Sequence, residues 1–367
     1  MGGEQNQEVD LRQKLETWLS RNVPDRAISQ AFDLPAVVLT TDVGLQRSEN
    51  QDRVAALSME GTNGNRLLVA AVVDGMGGMR EGAKCATLAM TNFLVTLATH
   101  HGPIQQKIHQ AVSAANESVF KFAGGKGGAT LSAVVLGGGG AAFVAHVGDS
   151  RVYSFGPNTR VERLTKDDSL AEAVGGHGRE LLQFIGMGPE MQPFISEIPS
   201  GSKNLAITSD GIHFVETLTL QTVLANSPTV RSAAERLSAL ARWCGGPDNA
   251  SSAFVDLSML ASASPAVPQD LLQVWDPNGS LCFSLESASP AAPRLSSQAT
   301  LPTRDRIEDV DKTAGSPHAP SRGSRPAGNK GKNNNKGKKK ESIAKEDIQL
   351  EIKIEGNSGE DTGDNRE

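Results

Sequence analysis

An uninterrupted apolar run, LLVAAVV at residues 67–73, ends directly in Asp74 and a glycine-rich turn. A run with no polar face is typical of a strand buried on both sides, so it requires a layer of structure against each face. Asp-Gly after a strand is a common hairpin signal. Glycine also lets a metal ion or a phosphate approach the backbone, so Asp74 marks either a simple turn or the edge of a ligand site.

The segments around this run indicate the fold class. Strand-like stretches at residues 36–59 precede it, helical stretches at 81–100 and 103–122 follow it, and strand-like stretches with glycine turns return at 124–155. Strands, then helices, then strands again, without regular alternation, predict an α+β fold with largely antiparallel sheets rather than a parallel nucleotide-binding sheet.

Composition divides the chain of 367 residues, because apolar runs almost vanish after residue 258 and Pro, Ser, Ala, Asn and Lys dominate there. Helical spacing of apolar residues around Trp18 predicts a leader helix. An Asn-Gly pair at residues 278–279, between apolar segments, predicts a hairpin. The predicted organisation is a leader helix at 1–34, one globular domain at 35–258, a hairpin-like appendage at 259–287 and a disordered tail, first basic and then acidic, at 288–367.

Within the tail, residues 347–355 alternate apolar and charged side chains as an amphipathic strand does. A lone strand is not stable by itself, so this segment either adds to a sheet edge, its own or a partner's, or stays unstructured until bound. We expect a docking segment for a partner protein, tethered by the basic linker.

Charge and cysteine content narrow the function classes. A formal net charge of -6 gives no argument for nucleic acid or a membrane surface, and the basic block at 322–340 has no interleaved aromatic residues. We interpret that block as solvated chain rather than a nucleic-acid site. No run reaches the length of a membrane span and no signal-peptide pattern is present. Cys85, Cys244 and Cys282, without a Cys-x-x-Cys pair, fit free thiols in the cytoplasm.

Acidic residues recur at the turns of this domain: Asp52, Asp74, Asp210 and Asp248 follow or precede strand-like segments, and Asp149 is placed in the middle of a predicted hairpin. Each one alone is most simply a turn residue. If the turns meet in space, however, their carboxylates repel one another and need a compensating cation.

The donor types indicate which cation. Oxygen ligands without clustered His or Cys suit Mg²⁺ or Mn²⁺ rather than zinc. Two such ions activate a water and clamp a phosphoryl group for in-line displacement. Arg47, five residues before Asp52, is the candidate for holding phosphate oxygens.

The ordered motifs RSENQD, VVDGMGG, HVGDSRVY, TSDGI and GPDNAS closely resemble those of the metal-dependent serine/threonine protein phosphatases, the PPM or type 2C family, and of its bacterial branch in particular. The resemblance spans roughly residues 36–257. It implies two packed antiparallel β-sheets flanked by helices. Five motifs in the family's order are a specific signal, although any single one is weak.

The resemblance implies a role for each matched residue. Asp74 would bridge two metal ions, and the carbonyl of Gly75 would complete one coordination shell. Asp210 and Asp248 would hold the other ion. Asp52 would act on the metal-bound water network, and so counts both as a catalytic and as a metal-site residue.

Arg47 would bind the substrate phosphate, and Asp149 would form a third, weaker metal site with the aspartate of the SDG motif. The implied function is hydrolysis of phosphoserine and phosphothreonine in proteins with two Mn²⁺ or Mg²⁺ ions, opposing a bacterial Ser/Thr kinase. The alternative is a pseudophosphatase, which would bind phosphoprotein without cleaving it. The presence of all the expected metal-binding aspartates argues against that alternative.

The sequence departs from the family pattern in two places. Met76 stands where animal members often carry a His proposed as general acid, and His146 and His213, near other motifs, are more often packed strand residues than acids. The segment 167–188 is shorter than the usual flap beside the active site. We expect this shortening to affect substrate specificity more than activity.

Overall fold

The computed structural model describes residues 2–30, 36–60, 66–76, 81–157, 159–175, 180–262 and 271–284. The strands are β1 Arg26–Gln30, β2 Val37–Asp42, β3 Arg53–Glu60, β4 Arg66–Val73, β5 Leu131–Leu136, β6 Ala142–Val147, β7 Arg151–Phe155, β8 Glu162–Arg163, β9 Phe194–Glu197, β10 Asn204–Thr208, β11 Ala250–Asp256, β12 Leu271–Asp276 and β13 Gly279–Ser284. The helices are α1 Gly2–Leu19, α2 Gly82–Thr99, α3 Ile104–Ala123, α4 Leu170–Val174, α5 Asp210–His213, α6 Thr217–Ala225, α7 Val230–Trp243 and α8 Leu257–Ser262.

The strands form two sheets, ordered β1-β2-β11-β10-β7-β8 and β13-β12-β3-β4-β5-β6-β9. Every neighbouring pair in these sheets is antiparallel. The antiparallel α+β fold with two packed sheets flanked by helices is therefore confirmed.

Strand β4 shows why the sequence here is apolar at every position. Side chains alternate between the two faces of a strand, and on β4 both faces are covered. Leu68, Ala70 and Val72 pack in the cluster between the two sheets, whereas Val69 and Ala71 pack in the cluster that includes α2 and α3. A third cluster lies between the other sheet and helices α5–α7. The layers therefore run helix, sheet, sheet, helix, with the polar strand ends at the rim.

The segments flanking the central domain are part of the same sheets. Strand β12 pairs with β3, so the predicted hairpin extends the second sheet. Strand β1 lies within the predicted leader and pairs with β2, although no strand was predicted there. Helix α1 buries Leu15 against the core. The tail at 288–367, with the docking segment at 347–355, lies outside the described residues, and the division of the chain into segments stays a prediction.

In the part of the chain that the structure describes, no helix is long and apolar enough to cross a membrane.

Candidate metal centre

Asp74 follows the last residue of β4, where the strand reaches the rim of the sheet. The Asp74 N–H donates to Oγ1 of Thr130 at 3.0 Å, and the Thr130 N–H donates to the Asp74 carbonyl at 2.8 Å. Gly75 is buried, and a Cβ atom there would overlap the carbonyl of Gly82. Only glycine fits this close backbone approach. The two hydrogen bonds to Thr130 fix the backbone position of Asp74, and so the point from which its carboxylate extends.

Asp52 immediately precedes β3 and is 3% exposed. Its Oδ2 atom accepts a hydrogen bond of 3.0 Å from Oγ of Ser209, while Oδ1 is buried and has no hydrogen-bond partner among the residues that the structure describes. A buried carboxylate oxygen without a partner is costly, so it indicates a place for a cation or a water.

Asp210 and Asp248 come from two neighbouring strands, β10 and β11. Asp210 begins helix α5 two residues after β10 ends, and Asp248 lies two residues before β11 begins. Ser209 links the segment that carries Asp210 to β11, because its N–H donates to the carbonyl of Ser251 at 2.9 Å. Antiparallel pairing of β10 and β11 thus brings both aspartates to the same rim.

Asp149 does not lie in the middle of a hairpin, and that prediction is wrong. It lies between β6, which belongs to one sheet, and β7, which belongs to the other. The apolar alternation on both sides of Asp149 is the same for a hairpin and for a crossing between sheets, so the sequence did not separate them. The crossing places Asp149 at the rim where the two sheets meet.

Arg47 reaches this group of carboxylates from the loop between β2 and β3. Its Nη2 atom donates to Oδ2 of Asp248 at 2.7 Å, and both side chains are partly exposed, at 40% and 24%. This hydrogen bond, with further attraction from Asp248, Asp210 and Asp74, raises the pKa of Arg47. The predicted phosphate-binding residue is therefore in direct contact with a predicted metal ligand.

Burial and repulsion between aspartates raise the pKa values of the carboxylates at this rim. Burial raises the pKa of Asp74 well above 3.8, and four other aspartates, namely Asp52, Asp210, Asp149 and Asp248, add to the rise. Burial, with Asp210 and Asp248, raises the pKa of Asp52 to about 7. Burial, with Asp210 and Asp167, raises the pKa of Asp149 to about 7. The fold thus concentrates negative charge that a cation would stabilise.

The donor set suits a hard divalent ion, since it consists of carboxylate and carbonyl oxygens. Among the residues that the structure describes, no three His, Cys, Asp or Glu side chains already form a metal-binding group. The unpartnered Oδ1 of Asp52 and the raised pKa values nevertheless fit a site for such an ion. Asp74, Gly75, Asp210 and Asp248 are the residues that would hold it.

Asn249 is a site residue that the sequence analysis missed, although it stands beside Asp248 in the motif GPDNAS. It is 5% exposed. Its Nδ2 atom donates to the carbonyls of Val43 and Glu49, both at 2.9 Å, and its Oδ1 atom accepts from the Gln51 N–H at 2.8 Å. One buried amide thus ties the loop that carries Arg47 to the start of β11.

The two histidines near the motifs are packed residues. His146 is fully buried between Oγ of Ser132 and the carbonyl of Lys166, both at 2.9 Å. Nδ1 of His213 lies 2.9 Å from Oγ1 of Thr208. Burial lowers the pKa of both rings, which disfavours either one as a proton donor near neutral pH.

The segment 167–188, which the sequence predicts to be a shortened flap, is anchored at its base. Asp168 accepts a hydrogen bond of 3.0 Å from the Gly148 N–H, and Asp167 forms an ion pair of 2.7 Å with Arg151. Residues 176–179 are outside the described part of the segment. The described base of this segment therefore contacts Gly148 and Arg151, on either side of Asp149 in the chain.

Comparison with known proteins gives relatives with the same fold. The serine/threonine protein phosphatase PstP of Mycobacterium tuberculosis is 29% identical over 245 residues, which are 59% of this chain and 44% of PstP. The chain therefore spans less than half of the length of this curated relative.

Alignments of this chain with solved structures cover almost the whole length of those structures. The PPM Ser-Thr phosphatase MsPP from Mycobacterium smegmatis, in complex with cacodylate, has 27% identity and a TM-score of 0.52, over 61% of this chain and 98% of MsPP. The PstP catalytic domain in complex with two manganese ions has 26% identity and a TM-score of 0.51, over 60% of this chain and 96% of that domain. The family model Protein phosphatase 2C matches residues 46–250, more than half of the chain. This protein accordingly belongs to the protein phosphatase 2C family.

Proposed function

We propose that this chain hydrolyses phosphoserine and phosphothreonine in proteins, with two Mn²⁺ or Mg²⁺ ions as cofactors and a third, weaker site at Asp149. The proposal is supported by the five aspartates that separate chain segments bring to one rim, with Arg47 against them. Family membership and the manganese complex of PstP agree with it. The cytoplasmic location stays a prediction.

When bound, the ions would lower the pKa of a water and neutralise charge on the phosphoryl group. Asp74, the Gly75 carbonyl, Asp210 and Asp248 would hold them. Oδ1 of Asp52, which is buried and has no hydrogen-bond partner among the described residues, would accept a hydrogen bond from a water in the same site. Arg47 presents a guanidinium to phosphate oxygens, where its planar donors match two of them.

A Ser/Thr kinase acting on the same proteins is the partner that this activity requires, because a phosphatase needs a source of its substrate. We also propose that the segment at 347–355 docks a partner protein, on the basis of its alternating pattern alone.

Phosphate release from a phosphothreonine peptide tests the activity, measured with Mn²⁺, with Mg²⁺ and with chelator. We expect release that depends on metal and is lost in Asp210→Asn. Glu235→Gln, which removes an exposed carboxylate on α7, is the matched control and should retain activity. No release from folded wild-type protein with either metal would contradict the proposal and favour a phosphoprotein-binding role.

A further inference from the structure

A cavity of about 340 Å³ lies beside the candidate metal centre. Its walls come from three segments and from Thr41 in β2. The segments are residues 19–25 at the end of α1 and after it, residues 48–50 and 52–54 before and at the start of β3, and residues 276–278 at the end of β12 and in the turn that follows. The first and last of these segments lie outside residues 46–250, the part that the family model matches. The cavity therefore depends on segments of the chain that flank the matched region.

The outer walls are held together by charged contacts. Nη2 of Arg21 lies 2.8 Å from Oδ1 and 2.7 Å from Oδ2 of Asp276, which is 7% exposed. The Arg21 guanidinium stacks on the ring of Trp18 at 3.9 Å. The Asn278 N–H donates to Asp276 Oδ1 at 2.8 Å. Arg21 and Asp276 thus neutralise each other, and the wall they form is preorganised.

The inner wall is shared with the metal centre. Asp52, with its unpartnered Oδ1, lines the cavity. Nη1 of Arg53 donates to the carbonyls of Asn50 and Asp52, at 3.1 and 2.7 Å, and so holds the backbone of this wall. Ser48, the residue after Arg47, is also in the wall. A phosphate that contacts Arg47 would therefore be bound by the residue next in sequence to a residue of the cavity wall.

The charges left in the lining favour a cation. Among the described residues, four carboxylates and two guanidiniums line the cavity, and one of each is already paired as Arg21 with Asp276. Asp25 and Glu49 are exposed, and neither forms an ion pair with another described residue. The hydrogen bonds of Arg53 go to Thr87 and to backbone carbonyls, not to these carboxylates.

We propose that this cavity binds the cationic side chain of a Lys or Arg residue in the phosphoprotein substrate, close to the phosphorylated residue. The proposal rests on the proposed phosphatase function. An extended peptide advances about 3.3 Å per residue, so a basic residue within a few positions of the phosphate at Arg47 reaches Ser48 and the cavity. Asp25 and Glu49 are then the residues that determine specificity.

Peptide binding tests this directly and does not depend on turnover. Fluorescence anisotropy would measure Kd for labelled phosphothreonine peptides that carry a single Lys, Ala or Glu at positions from −4 to +4. At one or more positions we expect Lys to bind about fivefold more tightly than Ala, which corresponds to about 1 kcal/mol for a partly exposed ion pair. The preference should decrease at high salt, because the charges are near solvent.

Variants assign the preference to the cavity. Asp25→Asn with Glu49→Gln should abolish the Lys preference and leave hydrolysis of p-nitrophenyl phosphate unchanged, whereas Glu235→Gln should alter neither. No Lys preference, a Glu preference, or a Lys preference that survives the double variant would each overturn the proposal. If p-nitrophenyl phosphate is hydrolysed but the preference is missing, the phosphatase function stands and only the cavity assignment fails.

Free cations could supply the same ammonium chemistry, so spermidine provides a separate arm of the experiment. We expect spermidine to displace the Lys peptide and to leave the Ala peptide bound. Spermidine that changes p-nitrophenyl phosphate hydrolysis through Asp25 and Glu49, with no peptide preference, would identify the ligand as a free polyamine and overturn the assignment to substrate.

Discussion

Nη2 of Arg47 lies 2.7 Å from Oδ2 of Asp248, and the two residues are 201 positions apart in the chain. The contact joins the candidate phosphate-binding residue to a candidate metal ligand. Because each side chain is partly exposed, the pair is accessible to a substrate. A change at either residue should therefore affect both phosphate binding and metal binding.

Arg47→Lys keeps the charge but removes the planar pair of donors that matches phosphate oxygens. We expect kcat/KM for a phosphothreonine peptide to fall about ten- to hundredfold, since a hydrogen bond to a charged group is worth about 1.5–3 kcal/mol. Steady-state kinetics at saturating Mn²⁺ measures this. Arg231→Lys, at an exposed position on α7, is the matched control. Equal kcat/KM values for the Arg47 variant and wild type would exclude Arg47 from phosphate binding.

Asn249→Ala removes three partly buried hydrogen bonds that hold the loop carrying Arg47. We expect the free energy of unfolding to fall by at least about 1–3 kcal/mol, the cost of one orphaned buried group. KM for the phosphopeptide should rise more than kcat falls, because the loop positions Arg47. Urea denaturation and steady-state kinetics measure the two effects.

Asn249→Asp separates the contributions of the two ends of the amide. It keeps the acceptor for the Gln51 N–H but places an oxygen against the carbonyls of Val43 and Glu49. We expect it to be as destabilising as the alanine variant. Asn226→Ala, at an exposed position, serves as control. Wild-type stability and KM in both Asn249 variants would show that the tether has no role.

The raised pKa values of Asp52 and Asp149, both about 7 against 3.8, predict a pH dependence of stability in chelator. The folded protein retains protons that the unfolded chain has already lost above pH 4, so these groups stabilise the fold at low pH. This contribution should decrease as the pH rises from about 4 to about 7. Urea denaturation at a series of pH values measures it.

Mn²⁺ should reduce that loss of stability at high pH, because it binds the deprotonated carboxylates. Its affinity should in turn weaken as the pH falls below about 7, where Asp52 and Asp149 become protonated. Asp52→Asn should show a weaker pH dependence in chelator than wild type. A stability in chelator that rises over the same pH range in wild type but not in Asp52→Asn would contradict the assignment of these pKa values.

Deletion of residues 341–367 removes the proposed docking segment at 347–355. We expect weaker association with a cognate phosphoprotein or kinase and unchanged hydrolysis of p-nitrophenyl phosphate, since the described site contains no residue from this region. Pull-down of the phosphoprotein or kinase, with the wild-type protein as the reference, measures association. A deletion of the same length within the preceding linker, which leaves 347–355 intact, is the control, and equal association for all three proteins would exclude docking.

Local patterns in the sequence were sufficient to predict much of this protein. The helices α2 and α3 follow from apolar periodicity, and the strand β4 follows from a continuous apolar run, because secondary structure and two-sided burial leave a direct imprint on neighbouring residues. The five motifs identified the family, and their acidic residues predicted an oxygen-rich metal site. The family assignment and the metal-site prediction both depend on residue types and their order along the chain, which can be read from the sequence.

Tertiary structure alone decided which distant segments meet. Asp149 lies where the chain crosses between sheets, β12 pairs with β3, the strand that follows Asp52, and Asn249 ties the Arg47 loop to β11. The cavity at Asp52 exists only because the segment after α1 and the β12–β13 turn approach residues 48–54. Strand order and side-chain contacts between such segments depend on how the layers pack. Apolar periodicity shows that a face is buried, but it does not show which distant segment covers that face.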